Sequence, residues 1–289
     1  MESYISGHTK LVCLLGNPVA HSISPKIQNT AFDMLNLDCK YLAFNVNADQ
    51  LKQAVEGLRA VGAVGFNVTM PHKNQMAQLV DELSPAARIC GAVNTVVNEN
   101  GKFVGYTTDG VGYIMSARAE GVEIAGKRLV QLGAGGAGTA TLVQAAMDGA
   151  SQIDVFNPRD AFWTRVEQIA GELNRSTKCT VVLHDISDLN GLKTCLSTAD
   201  LLLNTTPVGM EKLPGCLIPD PSYFHPGLVV SDIIYEPAET QLLKMAREAG
   251  LKTFNGMYML LYQGAASFAL WTGKEMPVQE IKKLIFIKH

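Results

Sequence analysis

Residues 131–138 read Gln131-Leu132-Gly133-Ala134-Gly135-Gly136-Ala137-Gly138. Gly133, Gly135 and Gly138 spell G-x-G-x-x-G. Before it, 127–132 reads as a short apolar strand led in by Gly126; after it, Thr139 to Met147 is a good helix former ending near Gly149, and a second strand follows at 151–156. Strand, glycine turn, helix and strand within about 30 residues is the setting in which this spacing binds a dinucleotide. Gly133 permits the tight turn, Gly135 lets backbone approach a pyrophosphate, and Gly138 lets helix and strand pack closely. The helix N-terminus supplies N–H donors and a partial positive charge. The six residues from Gly133 through Ala134, Gly135, Gly136 and Ala137 to Gly138 are therefore candidate cofactor ligands. An ordinary glycine-rich αβ turn is the competing reading, and the flanks weigh against it.

Outward from this turn, strand and helix patterns alternate along most of the chain, which predicts parallel sheets with helices on both faces. Toward the N-terminus the strands are 10–15, 41–46, 63–68, 92–97 and 102–106, with helices at 25–35 and 49–60, a helix from 69–73 toward Val80, and a helical turn at 84–88. Asn100-Gly101 between the last two strands is a hairpin signal. Toward the C-terminus, helices at 160–174, 189–197 and 239–249 alternate with strands at 180–183, 200–204 and 228–234. The expected fold class is α/β with two αβ domains: 1–108 for substrate, and 109–256 as a doubly wound Rossmann domain, with a cleft between them. Helices in 257–289 have no further strand to serve and are expected to return to the first domain.

Composition narrows the partners. With 47% hydrophobic residues, 289 residues can fill two cores, and a net charge of −3 without a Lys/Arg cluster argues against nucleic acid. Six cysteines without C-x-x-C fit a reduced, cytoplasmic setting better than a disulfide framework. Met1 to Lys10 lacks the features of a signal peptide, and the most apolar helix candidate, 256–271, is interrupted by Gln263 and too short for a bilayer span of about 20 residues. No membrane partner is expected. The oligomeric state stays open, a homodimer included.

In an αβ fold, ligands sit at the carboxyl ends of strands. The polar residues that follow strands in the first domain are Ser22, Ser24, Asn67, Thr69, Lys73, Asn94, Thr108 and Asp109. Ser24 before Pro25 also reads as a simple helix N-cap, Lys73 as a solvated first-turn lysine, and Asp109 as a cap. Taken in order, however, the segments 16–25 (GNPVAHSISP), 67–73 (NVTMPHK), 91–95 (GAVNT), 107–110 (TTDG), 133–138 (GAGGAG), 204–210 (NTTPVGM) and 263–268 (QGAASF) resemble the shikimate dehydrogenase family, including its shikimate/quinate branch.

That resemblance implies that Ser22 and Ser24 bind a substrate carboxylate, that Lys73 is the catalytic lysine, and that Asp109 is its carboxylate partner. A lysine is protonated at neutral pH and can donate to a forming alkoxide; oxidation requires the reverse and should favour alkaline pH. Asn67, Thr69, Asn94 and Gln263 offer neutral hydrogen bonds for a polyhydroxylated ring. Gln263 lies among apolar residues, where a buried amide needs partners. Thr107 and Tyr235 are weaker candidates near the cleft, Thr205 and Gly256 are further cofactor candidates, and His72 reads as structural.

For the cofactor, an NAD-type domain usually ends its second strand with an acidic residue. Asp154 lies at about the right distance but inside the strand. The corner itself is Asn157-Pro158-Arg159-Asp160. Members of the family that use NADP show Asn-Arg followed by Thr or Ser and a further Arg. Here Pro158 offers no donor and Asp160 would repel a 2′-phosphate, whereas Arg159 would attract one. The lean is to NAD, with NADP or dual use as the alternative.

The expected activity is NAD(P)-dependent oxidoreduction of shikimate/3-dehydroshikimate, with quinate/3-dehydroquinate as a further pair. Hydride transfer requires no metal, and the histidines are scattered without ligand spacing. An NADP-specific biosynthetic enzyme, another two-domain dehydrogenase, and a dinucleotide-binding regulator without turnover are the competing readings.

Overall fold

The computed structural model describes residues 5–286. Met1 to Tyr4, part of the stretch read as lacking a signal peptide, and 287–289, the end of the expected C-terminal helices, lie outside the described residues. The chain divides into two units, one ending at Thr108 and resuming at Leu261, the other Asp109–Leu260.

The first unit contains β1 (Lys10–Gly16), α1 (Ser24–Met34), β2 (Cys39–Asn45), α2 (Leu51–Ala60), β3 (Gly65–Val68), α3 (Lys73–Met76), β4 (Glu82–Leu83), α4 (Pro85–Cys90), β5 (Thr95–Glu99) and β6 (Lys102–Tyr106). Its sheet runs β2-β1-β3-β5-β6-β4. The expectation of a parallel sheet is corrected here: β3–β5 and β5–β6 are antiparallel. The cause is the hairpin, where Asn100 and Gly101 both take positive φ (55° and 92°) and reverse the chain in two residues. Helix α2 shows why patterning predicts these elements: Leu51, Val55 and Leu58, at helical spacing, are its buried face. They join Leu15, Phe66, Val96 and Phe103 in one core. The helix expected from Lys73 toward Val80 stops at Met76. Beyond it the Asp81 N–H donates to Phe103 O, and the Asp81 carboxylate accepts from Phe103 N–H, pinning the chain beside β6.

The second unit holds α5 (Asp109–Ala119), β7 (Arg128–Leu132), α6 (Gly136–Met147), β8 (Gln152–Asn157), α7 (Trp163–Ser176), β9 (Thr180–Asp185), α8 (Leu189–Leu196), β10 (Leu201–Asn204), β11 (Val229–Asp232), α9 (Gln241–Glu248) and β12 (Lys252–Phe254). The strand order β12-β11-β10-β7-β8-β9, parallel throughout, is the doubly wound Rossmann order, reversing between β7 and β10. Val130, Leu132, Phe156, Leu202 and Val230 fill the core with Leu242 and Leu243 of α9.

Two further helices, α10 (Met257–Thr272) and α11 (Val278–Ile281), follow. From Leu261 onward α10 packs within the first unit. Phe268 lies 5.3 Å from Phe32 and Trp271 lies 6.1 Å from Tyr41, centroid to centroid, while the Trp271 indole N–H donates to Val96 O at 2.9 Å.

Candidate active site

Because β5 runs against β3, its first residues lie at the same sheet edge as the carboxyl ends of β1 and β3. Asn67 stands opposite Thr95, and Thr95 opposite Tyr106. The polar residues at this edge form one network. The Tyr41 hydroxyl donates to Asn67 Oδ1 at 2.8 Å. Burial pushes that phenol well above its ordinary range, which keeps it a neutral donor. Asn67 Nδ2 lies 3.0 Å from Asn94 O, 3.0 Å from Thr95 Oγ1 and 3.1 Å from Ser267 Oγ. Asn94 Oδ1 accepts the Thr108 N–H at 2.7 Å, and Asn94 Nδ2 donates to Thr108 Oγ1 at 3.0 Å. Thr95 and Thr108 each lie within hydrogen-bond distance of the Ser267 hydroxyl. Both amides are thus buried with fixed orientations, and the segment leading into Asp109 is anchored through Thr108.

Thr69 and Lys73 follow β3 in the loop and at the first position of α3, each half-buried. Backbone bonds hold the loop: Thr69 N–H to Leu15 O at 2.9 Å, and Val93 N–H to Lys73 O at 2.9 Å. His72 is fully buried, its Nε2 2.8 Å from Val46 O, which fits the structural reading. The Ser24 capping alternative is corrected: Ser24 is the first residue of α1, Ile23 is the N-cap, and no side-chain cap bond forms. Ser22 Oγ instead accepts the Ser24 N–H at 3.3 Å. Gln263 is half-buried rather than buried, and its carbonyl accepts from the Ser267 hydroxyl at 3.0 Å. Asp109 is the first residue of α5.

In the second unit the glycine turn sits at the carboxyl end of β7. Gly133 has φ of 85°, a left-handed value that disfavours a side chain. A Cβ on Gly138 would run into Thr205 Oγ1 and lie 2.9 Å from Gly133 O, so this glycine sets how closely α6 meets the strands. Gly135 and Gly136 are exposed, with open space where a Cβ would stand. That opening, beside the N-terminus of a 12-residue helix, fits a dinucleotide pyrophosphate. The turn is braced from below. Gln131 Nε2 donates to Gly133 O and Gly138 O at 2.9 and 3.0 Å, and the Thr205 hydroxyl lies 2.9 and 2.8 Å from Leu132 O and Gly133 O. Asn157 Oδ1 accepts the Ala134 N–H at 3.0 Å.

At the corner after β8, Arg159 Nε donates to Asp185 Oδ2 at 2.9 Å, and its guanidinium lies 4.4 Å from the Trp163 ring centroid. Two bonds from Ser187 (its N–H and its hydroxyl), with Arg159 itself, hold the Asp185 carboxyl below the usual range. The helix expected from Asp160 begins at Trp163, because Asp160 Oδ1 accepts the Phe162 N–H at 2.9 Å in a turn of its own. Asp154, discounted as a ribose ligand, is buried and bonded to His184. Tyr235 is exposed. A Cβ on Gly256 would collide with Ile233 O, which makes that glycine a packing requirement of the second unit.

Tyr41, Thr95, Ser267 and Gln131 are not among the candidates that the sequence offers. For two of them there was a signal: Ser267 falls four residues after Gln263, on the same helix face, and Gln131 interrupts an apolar strand.

Fold and glycine turn together define a Rossmann-type dinucleotide-binding protein with a second, polar-edged αβ unit. The profile of the shikimate dehydrogenase substrate binding domain matches residues 14–96, and that of the shikimate 5'-dehydrogenase C-terminal domain matches 256–286. A protein of Listeria monocytogenes serotype 4b (strain F2365) named shikimate dehydrogenase (NADP(+)) is 44% identical over 98% of this chain and 97% of its own. One of the same name from Streptococcus pyogenes serotype M28 (strain MGAS6180) is 47% identical over 99% of both. Among solved structures, shikimate 5-dehydrogenase from Listeria monocytogenes superposes with a TM-score of 0.94 at 44% identity over 98% of each chain. Quinate dehydrogenase from Corynebacterium glutamicum gives 0.84 at 28% identity over 96% of this chain and 99% of that one. The chain belongs to the shikimate dehydrogenase family.

Proposed function

We propose that the protein catalyses the reversible, dinucleotide-dependent oxidation of the shikimate 3-hydroxyl to 3-dehydroshikimate, with quinate as a second substrate. Similarity to shikimate dehydrogenases along the whole chain carries the reading. The Listeria structure is described in complex with shikimate and NAD, and the Corynebacterium one in complex with NAD.

Ser22 and Ser24, at the N-terminus of the 11-residue α1, hold the substrate carboxylate, which the helix dipole favours. Thr69, Gln263 and the prearranged amides of Asn67 and Asn94 read the ring hydroxyls. The glycine turn from Gly133 to Gly138 would hold the dinucleotide, whose nicotinamide would supply the hydride-transfer chemistry. Lys73 takes the 3-hydroxyl proton in oxidation and returns it in reduction, and Asp109 works with it while fixing a neighbouring hydroxyl. A positioned acid–base group of this kind contributes about 10²–10⁴-fold.

On the cofactor, the relatives carry NADP(+) in their names. This chain nevertheless has Pro158 where a donor is wanted, an acidic Asp160, and an Arg159 whose charge is paired with Asp185. We infer a preference for NAD. The cytoplasm is the proposed compartment, in keeping with six cysteines outside any disulfide; no described helix is long and apolar enough to cross a membrane. The test is incubation of purified protein with shikimate and either dinucleotide, with the product identified by NMR. Formation of 3-dehydroshikimate is expected. Dinucleotide binding without turnover would overturn the proposal in favour of a regulator.

A further inference from the structure

In the second unit Asp154 on β8, His184 on β9 and Cys195 on α8 bring a carboxylate oxygen, an imidazole nitrogen and a sulfur within 4.8 Å of one another. None of the three has a part in the proposed reaction. Asp154 is 4% exposed, and its Oδ1 lies 2.8 Å from His184 Nε2. Gln152 Nε2 donates to Asp154 Oδ2 at 2.8 Å, fixing the carboxylate from the other side. The His184 ring stacks on Phe156 at 4.6 Å and 12°, which holds its plane and aims Nε2 at Asp154. The Cys195 sulfur lies within 4.8 Å of the same carboxylate and of the imidazole nitrogen. An ion pair alone would account for Asp154 and His184. It gives no reason for a sulfur to complete the group.

We propose that Asp154, His184 and Cys195 bind a zinc ion that clips β8, β9 and α8 together. One sulfur, one nitrogen and one oxygen are donors zinc accepts in a tetrahedral site, at about 2.3, 2.0–2.1 and 2.0–2.2 Å respectively. Such lengths put ligand atoms roughly 3.5 Å apart, so small side-chain movements from the present spacing suffice. Half-buried His184 and Cys195 leave a way in, and water supplies the fourth ligand. Binding releases the Cys195 thiol proton to solvent and leaves His184 neutral, with its hydrogen on Nδ1. Gln152 and Phe156 then act as the outer contacts that orient the ligands.

Cobalt(II) titration of chelator-treated, full-length protein tests this. One equivalent per chain should give a thiolate-to-cobalt absorption band with tetrahedral d–d bands, displaced by zinc, and zinc should raise the melting temperature. Both responses should vanish in Cys195→Ser and in His184→Gln, which can keep the hydrogen bond to Asp154; a cooperative melt shows that each variant is folded, and Cys195→Ala replaces a serine variant that is not. Wild-type protein without the band, or a band that survives in a folded variant, overturns the proposal.

Discussion

Lys73 is the residue on which the proposed chemistry turns. Its carbonyl is tied to Val93 and it opens α3, so a substitution at its side chain leaves the local backbone bonds intact. Lys73→Met should therefore lower kcat for shikimate oxidation by about 10²–10⁴-fold with little change in melting temperature. A variant that keeps most of its turnover would refute the acid–base role. Cofactor choice also belongs to this scale. Arg159 is paired with Asp185, and a 2′-phosphate would have to compete for it. Asp185→Asn should raise kcat/KM for NADP⁺ relative to NAD⁺ by about tenfold, equivalent to roughly 1.4 kcal/mol. An unchanged ratio would mean that Arg159 does not face the cofactor.

Among the elements, the β7–α6 turn tolerates little change. Gly138→Ala would drive a methyl against Thr205 Oγ1 and the Gly133 carbonyl, one of them backbone that Gln131 and Thr205 already fix. The expected outcome is a KM for the dinucleotide raised about tenfold or more, with the shikimate KM little altered. Equal changes in both would show a general loss of fold instead. The β6 edge gives a pH signature. The Phe103 N–H and the Arg59 guanidinium hold the Asp81 carboxyl below its usual range. A depressed folded pKa contributes stability that is present above the unfolded value, about 3.9, and is lost as pH falls through the folded one. Asp81→Asn should accordingly flatten the acid limb of a urea-midpoint profile below about pH 4 and lower the midpoint near neutrality. An acid limb identical to wild type would contradict this.

For the molecule as a whole, the two αβ units were legible because hydrophobic runs, helical spacing and the glycine turn are local signals. So was the hairpin, since Asn100-Gly101 names its own turn. The mixed character of the first sheet follows from that hairpin, whereas the βα alternation around it reads as parallel. Strands β4 and β12, of two and three residues, are too short for a pattern to register. Lys73, Asp109 and the serines stand out as candidates through the resemblance of their motifs to the family's. The network joining Asn67 to Ser267 does not, because 200 positions separate the partners and only the fold brings them together. The same holds for Asp154, His184 and Cys195, which share no motif spacing. The decisive measurement is steady-state oxidation by purified protein, crossing shikimate and quinate with NAD⁺ and NADP⁺. Turnover of both acids is expected, with kcat/KM higher for NAD⁺. No turnover with any pair would contradict the proposed activity, and turnover of shikimate with NADP⁺ alone would contradict the reading of Pro158, Asp160 and the Arg159–Asp185 pair.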